Sequence, residues 1–181
     1  MLLSADRSAL LVVDIQERLA PAIPARDRVV RNTRTLLRAA VELGVPVLAT
    51  EHYPKGIGHT VPEVAELLPA GCVVEKIAFA AGEESGFVER LDALGRDQIV
   101  IAGMEAHVCV MQTALSLHGR SGRSAFFVAD AAASRDPVNA ELAAVRLRAG
   151  GVGVVSTEMV VFEWLHHGNT PAFRTLLELI R

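Results

Sequence analysis

Short, nearly continuous apolar runs alternate along the chain with stretches whose apolar residues recur every three or four positions. The runs are ALLVVD (Ala9 to Asp14), VPVLAT (Val45 to Thr50), CVVEK (Cys72 to Lys76), QIVIAG (Gln98 to Gly103), SAFFVAD (Ser124 to Asp130) and VGVVST (Val152 to Thr157). Each has the length of a strand and is apolar on both faces, as expected of strands inside a parallel sheet. Between the runs, Arg28 to Leu43 carries Val29, Val30, Leu36, Leu37, Ala40 and Leu43 at helical spacing, and Gly44 stops it. Gly86 to Leu94 reads as a helix closed by Gly95, and His107 to His118 as another. Pro137 opens a helix to Ala149, with Asp136 placed as its N-cap. Two further helical stretches follow the last run.

This β-α-β-α order predicts an α/β fold, a three-layer α/β/α sandwich around a six-stranded parallel sheet. Such sheets bind ligands beyond the carboxyl ends of their strands, where the strand order reverses. The residues to weigh are therefore those at strand ends: Asp14, Glu51, Lys76, Cys109 and Asp130. In the doubly wound order 3-2-1-4-5-6, strands one and four are neighbours, so Asp14 and Cys109 would share one crevice.

The length of 181 residues fits one domain, residues 1–181, with a sizeable core. Half of the chain is apolar and aromatics are scarce, so Val, Leu, Ile and Ala must build that core. A net charge of −3 gives no reason to expect nucleic acid or an anionic membrane as partner. Arg120 and Arg123 read as part of a solvated loop. No apolar stretch reaches the ~18 residues of a membrane span, and the N-terminal stretch lacks the features of a signal peptide. Two cysteines make no disulfide framework, which fits a reducing, cytoplasmic setting.

Cys109 lies in IAGMEAHVCV, where a buried strand hands over to a helix. Helix N-termini stabilise thiolates and lower a free-thiol pKa from ~8.5; a lone cysteine is by default a small buried hydrophobe, and the strand-to-helix position sets a displayed nucleophile on an even footing with that reading. Asp14 is either a turn residue or a general base for that thiol. Lys76 is either an exposed strand-end lysine or a cation aimed into the crevice, pairing with Asp14 and favouring the thiolate. Cys72 starts a strand and reads as inert.

With these residues in view, LLVVDIQ, EKIAFAA and GMEAHVCV resemble the three motifs of the isochorismatase-like cysteine hydrolases. TEHYPKGIGHTVPE (Thr50 to Glu63) and the segment from Ala129 to Glu158 resemble a narrower branch, the isochorismatase domain-containing hydrolases. The resemblance implies an Asp-Lys-Cys triad, with Asp14 as general base, Lys76 as cation and Cys109 as nucleophile. It also implies a cis Met104–Glu105 peptide that turns the Glu105 N–H toward that of Cys109, so that the two donate to an oxyanion. Gln16, Glu51, Tyr53, Phe79 and His107 are then candidates to shape the substrate pocket. Zinc-dependent nicotinamidases of the superfamily carry an Asp-x-His that is Glu51 and Tyr53 here, leaving His59 as the one matching ligand; no metal and no other cofactor is expected. His52 reads as a solvated loop residue, and His118, His166 and His167 as surface residues.

The function this implies is metal-independent hydrolysis of a small amide or related acyl substrate through a thioester on Cys109. The alternatives are a non-catalytic protein or a thiol-redox protein on the same fold. Val160, Val161, Trp164, Leu165 and Phe173 exceed what one sheet face is expected to cover. A homo-oligomer is therefore expected, in contact through the helix after Cys109 or the C-terminal helices.

Overall fold

A computed structural model describes residues 1–180. Its centre is a six-stranded, all-parallel sheet of β1 (Ser8–Val13), β2 (Val47–His52), β3 (Val73–Lys76), β4 (Gln98–Met104), β5 (Ser124–Ala133) and β6 (Gly153–Val155). The strand order is β3-β2-β1-β4-β5-β6, as the sequence predicts. The first connection of each half runs to opposite sides of β1, so the order reverses between β1 and β4.

The alternation within each strand divides the core in two. Leu10 and Val12 face one side, with α1 (Arg26–Glu42), α5 (Thr157–Leu165) and α6 (Pro171–Leu177) packed over them. Ala9, Leu11 and Val13 face the other, covered by α2 (Ser85–Ala93), α3 (Met111–Leu117) and α4 (Pro137–Ala149). Apolar residues at both parities are what a sheet covered on both faces requires. Asp136 caps α4 by accepting the Val138 N–H at 2.9 Å.

Several boundaries move. β2 starts two residues later than its sequence run, because Val45 still belongs to the exit of α1: Gly44 adopts φ +67° and the Val45 N–H closes on Ala40 O. The strand therefore ends at His52 and includes Glu51, which was expected beyond it. β6 is short because Ser156 leaves the ladder to cap α5, accepting the Met159 N–H. β5 runs on to Ala133, across a register shift opposite Ile101 to Gly103.

Gly103 is dictated by the closeness of β1. It pairs with Val13, has φ +139°, and a Cβ there would lie 2.0 Å from the Val13 carbonyl oxygen. Only glycine lets β4 approach the end of β1 this closely.

The C-terminal helices overturn one expectation. Val160, Val161, Trp164 and Leu165 are buried on the protein's own sheet, and Trp164 Nε1 donates to Ser8 Oγ at 2.8 Å in β1. These residues are core, not a surplus patch. Arg123 is likewise buried and paired with Asp92 instead of solvated. His118 is half-buried, its Nδ1 accepting the Ala125 N–H. No helix among the described residues is long and apolar enough to cross a membrane.

Candidate active site

At the carboxyl edge of the sheet, the chain leaves β1 at Asp14 with φ +51°, a left-handed turn that Asp tolerates. The Asp14 N–H still reaches Thr50 O of β2, and the Thr50 hydroxyl donates to Asp14 Oδ1 at 2.6 Å. The other carboxylate oxygen, Oδ2, lies 2.7 Å from Lys76 Nζ. Lys76 is brought there by β3, whose register sets it opposite His52, and its Nζ also donates to the carbonyls of Ala78 and Phe79. A lysine withdrawn from water is costly unless paired and hydrogen-bonded, and these partners meet that need. Glu84 fixes the turn that supplies the two carbonyls by accepting the N–H groups of Ile77 and Ala78.

Cys109 is buried beside this pair. Burial, then the charge of Asp14, push its thiol up to about 12, and Lys76 opposes them only in part. The expectation of a thiol lowered by a helix N-terminus is therefore corrected. The helical segment begins at Ala106 with a π turn over Ala106–Val110, so Cys109 sits nearly one turn inside it, and enclosure outweighs the helix end. At rest Cys109 is a thiol.

The Met104–Glu105 peptide bond is cis. The Glu105 side chain is buried against Arg135, accepting its backbone N–H at 2.9 Å and its guanidinium. Burial raises the Glu105 carboxyl, but the Arg135 hydrogen bonds and charge outweigh it, so the net shift is downward. His107 Nδ1 lies 2.8 Å from Ser134 Oγ, which also accepts the His107 N–H. Ser134 and Arg135 thus tether the nucleophile turn to the end of β5, a role no local sequence signal announces.

Gln16 does not reach the surface of the site. It is fully buried, its amide nitrogen donates to the carbonyls of His52 and Gly58, and its oxygen accepts the His52 N–H. It ties the 52–60 loop to the end of β1. Glu51 is buried too, accepting the N–H and hydroxyl of Thr60 and lying 2.9 Å from His59 Nδ1. Burial pushes the Glu51 carboxyl up, yet the Thr60 and His59 hydrogen bonds prevail and hold it below the ordinary range. Tyr53 and Phe79 are half exposed, and Ile77 joins them as an exposed apolar group beside Lys76. His52, expected in solvent, is half-buried with its ring stacked on Phe79 at a centroid distance of 5.3 Å. Burial and then the Lys76 charge push its imidazole below the ordinary histidine value, so it is neutral at pH 7. Among the described residues no three His, Cys, Asp or Glu side chains converge as a metal-ligand group.

Comparison with known proteins agrees with this architecture. The isochorismatase domain family model matches residues 8–159. The chain is 34% identical to isochorismatase domain-containing protein 1 of Danio rerio over 99% of its own length, and spans 62% of that relative. Among solved structures, the MAR1 ribonuclease of Caenorhabditis elegans superposes with a TM-score of 0.92 at 30% identity, covering 99% of this chain and 92% of that one. The YcaC gene product of Escherichia coli, described as an octameric hydrolase of unknown specificity, gives 0.90 at 25% identity, covering 99% and 90%. With its motifs, its strand order and a family match over most of its length, the chain belongs to the isochorismatase domain family.

Proposed function

We propose that the protein is a metal-independent cysteine hydrolase that cleaves a small amide or related acyl compound through Cys109, Asp14 and Lys76, as a single unit over residues 1–181. The observation that carries this reading is a buried carboxylate–ammonium pair, both of whose charges are felt by a buried thiol. Asp14 Oδ1 accepts the Thr50 hydroxyl and Oδ2 lies 2.7 Å from Lys76 Nζ, which holds the carboxylate in place as the group to take the proton.

The steps follow from that geometry. The Cys109 thiol gives its proton to Asp14 as Sγ bonds to the acyl carbon, so that no free thiolate is needed beforehand. The charge that develops on the acyl oxygen is met by the N–H groups of Glu105 and Cys109. Collapse breaks the C–N bond, and the amine leaves with the proton held by Asp14. Water then attacks the thioester, Asp14 removes its proton, the acid departs and the proton returns to sulfur. Lys76 balances the negative charge of the site, which lies on Asp14 at rest and passes to the acyl oxygen when Asp14 holds the proton. Tyr53, Phe79 and Ile77 offer the substrate a largely apolar rim, with the neutral His52 behind Phe79.

A peroxide-sensing role is less well supported, since oxidation selects thiolates and this thiol is held protonated. The free thiol suits a reducing, cytoplasmic setting. The test is incubation with a panel of small amides, ureides and esters, followed by acid quench and mass spectrometry of the Cys109 peptide. An acyl adduct on Cys109, with turnover lost in Cys109→Ala, is expected. Turnover that persists in Cys109→Ala would overturn the reading.

A further inference from the structure

The helix α4 is apolar on two opposite faces. Its inner face, Ala140, Ala143, Ala144 and Leu147, packs on the sheet. Its outer face carries Val138, Leu142 and Val145, which are 57%, 61% and 61% exposed, and Ala149, also exposed. Spacings of four, three and four residues align these side chains into one stripe along the helix. A surface helix normally keeps that face polar, and a continuous apolar stripe calls for a covering partner.

The stripe is symmetric in sequence. Leu142 and Val145 share a midpoint with Val138 and Ala149. A second copy of α4 running antiparallel about a two-fold axis at that midpoint would set Leu142 against the partner's Val145 and Val138 against the partner's Ala149. The flanking charges obey the same symmetry. At about 100° per residue, Glu141 and Arg148 fall on one edge of the stripe, while Asn139 and Arg146 fall on the other. A two-fold axis of this kind brings like edges together. Glu141 then lies within about 3 Å, along the axis, of the partner's Arg148, and the pair occurs twice. The other edge joins Arg146 to the partner's Asn139, with no like charges opposed at the same level. All four of these polar residues are exposed or half-buried in the single chain and free to turn toward a partner.

We propose that the outer face of α4 is a self-association surface, on which a second copy of this chain docks its own α4 antiparallel. The inference rests on the stripe and its charge symmetry, and stands whatever reaction Cys109 performs. It also relocates the expected contact from the helix after Cys109 or the C-terminal helices, where the core takes up Val160, Val161, Trp164 and Leu165.

The test is light scattering on the full chain at about 50 µM, with circular dichroism to verify the fold. The native chain is expected at twice 19.3 kDa or a multiple of it, and Val145→Glu at half the native mass or less with an unchanged spectrum. Glu141→Arg and Arg148→Glu, both at exposed positions, are each expected to weaken association about tenfold at low salt, and the double variant to restore it. A native mass of 19.3 kDa, or a Val145→Glu mass equal to the native one, would overturn the surface. A double variant no tighter than either single one would overturn the antiparallel pairing.

Discussion

Lys76 Nζ lies 2.7 Å from Asp14 Oδ2 with both side chains withdrawn from water, at 0% and 1% exposure, and the Cys109 thiol is enclosed beside them. The site therefore holds one positive and one negative charge in low dielectric, and adding a thiolate would leave a net negative charge there. This arrangement favours a neutral thiol that ionises only as it attacks.

The first prediction is a pH profile. With its thiol pushed up to about 12, Cys109 of the native protein should alkylate slowly at pH 7. The rate should climb about tenfold per pH unit through pH 8 to 10, in proportion to the thiolate fraction. Iodoacetamide labelling followed by peptide mass spectrometry measures it. A rate already at its plateau by pH 8 would show a resting thiolate.

The two charged partners should shift that profile in opposite directions. Asp14 raises the thiol and Lys76 lowers it, so Asp14→Asn should speed alkylation at a given pH while Lys76→Met slows it. Turnover should fall in both, by about 10²–10⁴ in Asp14→Asn because the proton acceptor is lost. Lys76→Met should also cost about 3–5 kcal/mol of stability, since it leaves a buried carboxylate unpaired. Alkylation slowed in Asp14→Asn would mean that the carboxylate activates the resting thiol, contrary to the geometry.

Much of this was legible in the sequence, for a physical reason. Strands buried on both faces leave unbroken apolar runs, and their chain order with helices between them admits few topologies. Asp14 and Lys76 stand out because a charged residue at the end of such a run needs a partner, whereas Cys109 stands out by its strand-to-helix turn, and the resemblance of the three motifs to a known family joins them. The sign of the thiol's shift was not legible, since it depends on how deeply Cys109 is enclosed and how near Asp14 comes. Gln16 was misjudged for a related reason. A fully buried amide that meets three backbone groups looks, in sequence, like any polar residue next to a catalytic acid. The fate of Trp164 turned on Ser8, 156 positions away, and no local pattern contains that contact.

Gly103→Ala should be among the most damaging single methyl additions in the chain. The new Cβ would meet Val13 O at 2.0 Å, and both groups are backbone in adjacent central strands, so neither can swing aside. The left-handed φ adds to the cost. A loss of more than about 3 kcal/mol is expected in denaturant unfolding. Gly44→Ala is a useful control. It shares a positive φ, but no atom lies within 4 Å of its Cβ position, so about 1 kcal/mol should suffice. Equal losses at the two sites would show that the close approach of β4 to β1 carries no weight.

The last prediction concerns the loop that Glu51 holds beside the site. The folded Glu51 carboxyl lies below its ordinary value of 4.5, so its contribution to stability is complete above pH 4.5 and fades as the pH falls through the folded value. His59 is shifted the other way, above 6.5, by its hydrogen bond to Glu51 and by that residue's charge. Its contribution is complete below pH 6.5 and is lost as the pH rises through the folded value. The two windows overlap between pH 4.5 and 6.5, where the contact is at full strength. Glu51→Gln keeps the shape, and an amide oxygen can still accept from Thr60, but the charge is gone. It should lower stability by about 1–2 kcal/mol at pH 5.5, most of it from weakening the charge-assisted bonds of Thr60, because His59 is open to solvent. Thermal unfolding of the two proteins from pH 3.5 to 8.5 measures the difference. It should peak between pH 4.5 and 6.5 and narrow on both sides, more steeply in acid, where Glu51 itself takes up a proton. A difference that stays flat across the whole range would mean that Glu51 acts through packing alone, and that the loop over the site is not held by its charge.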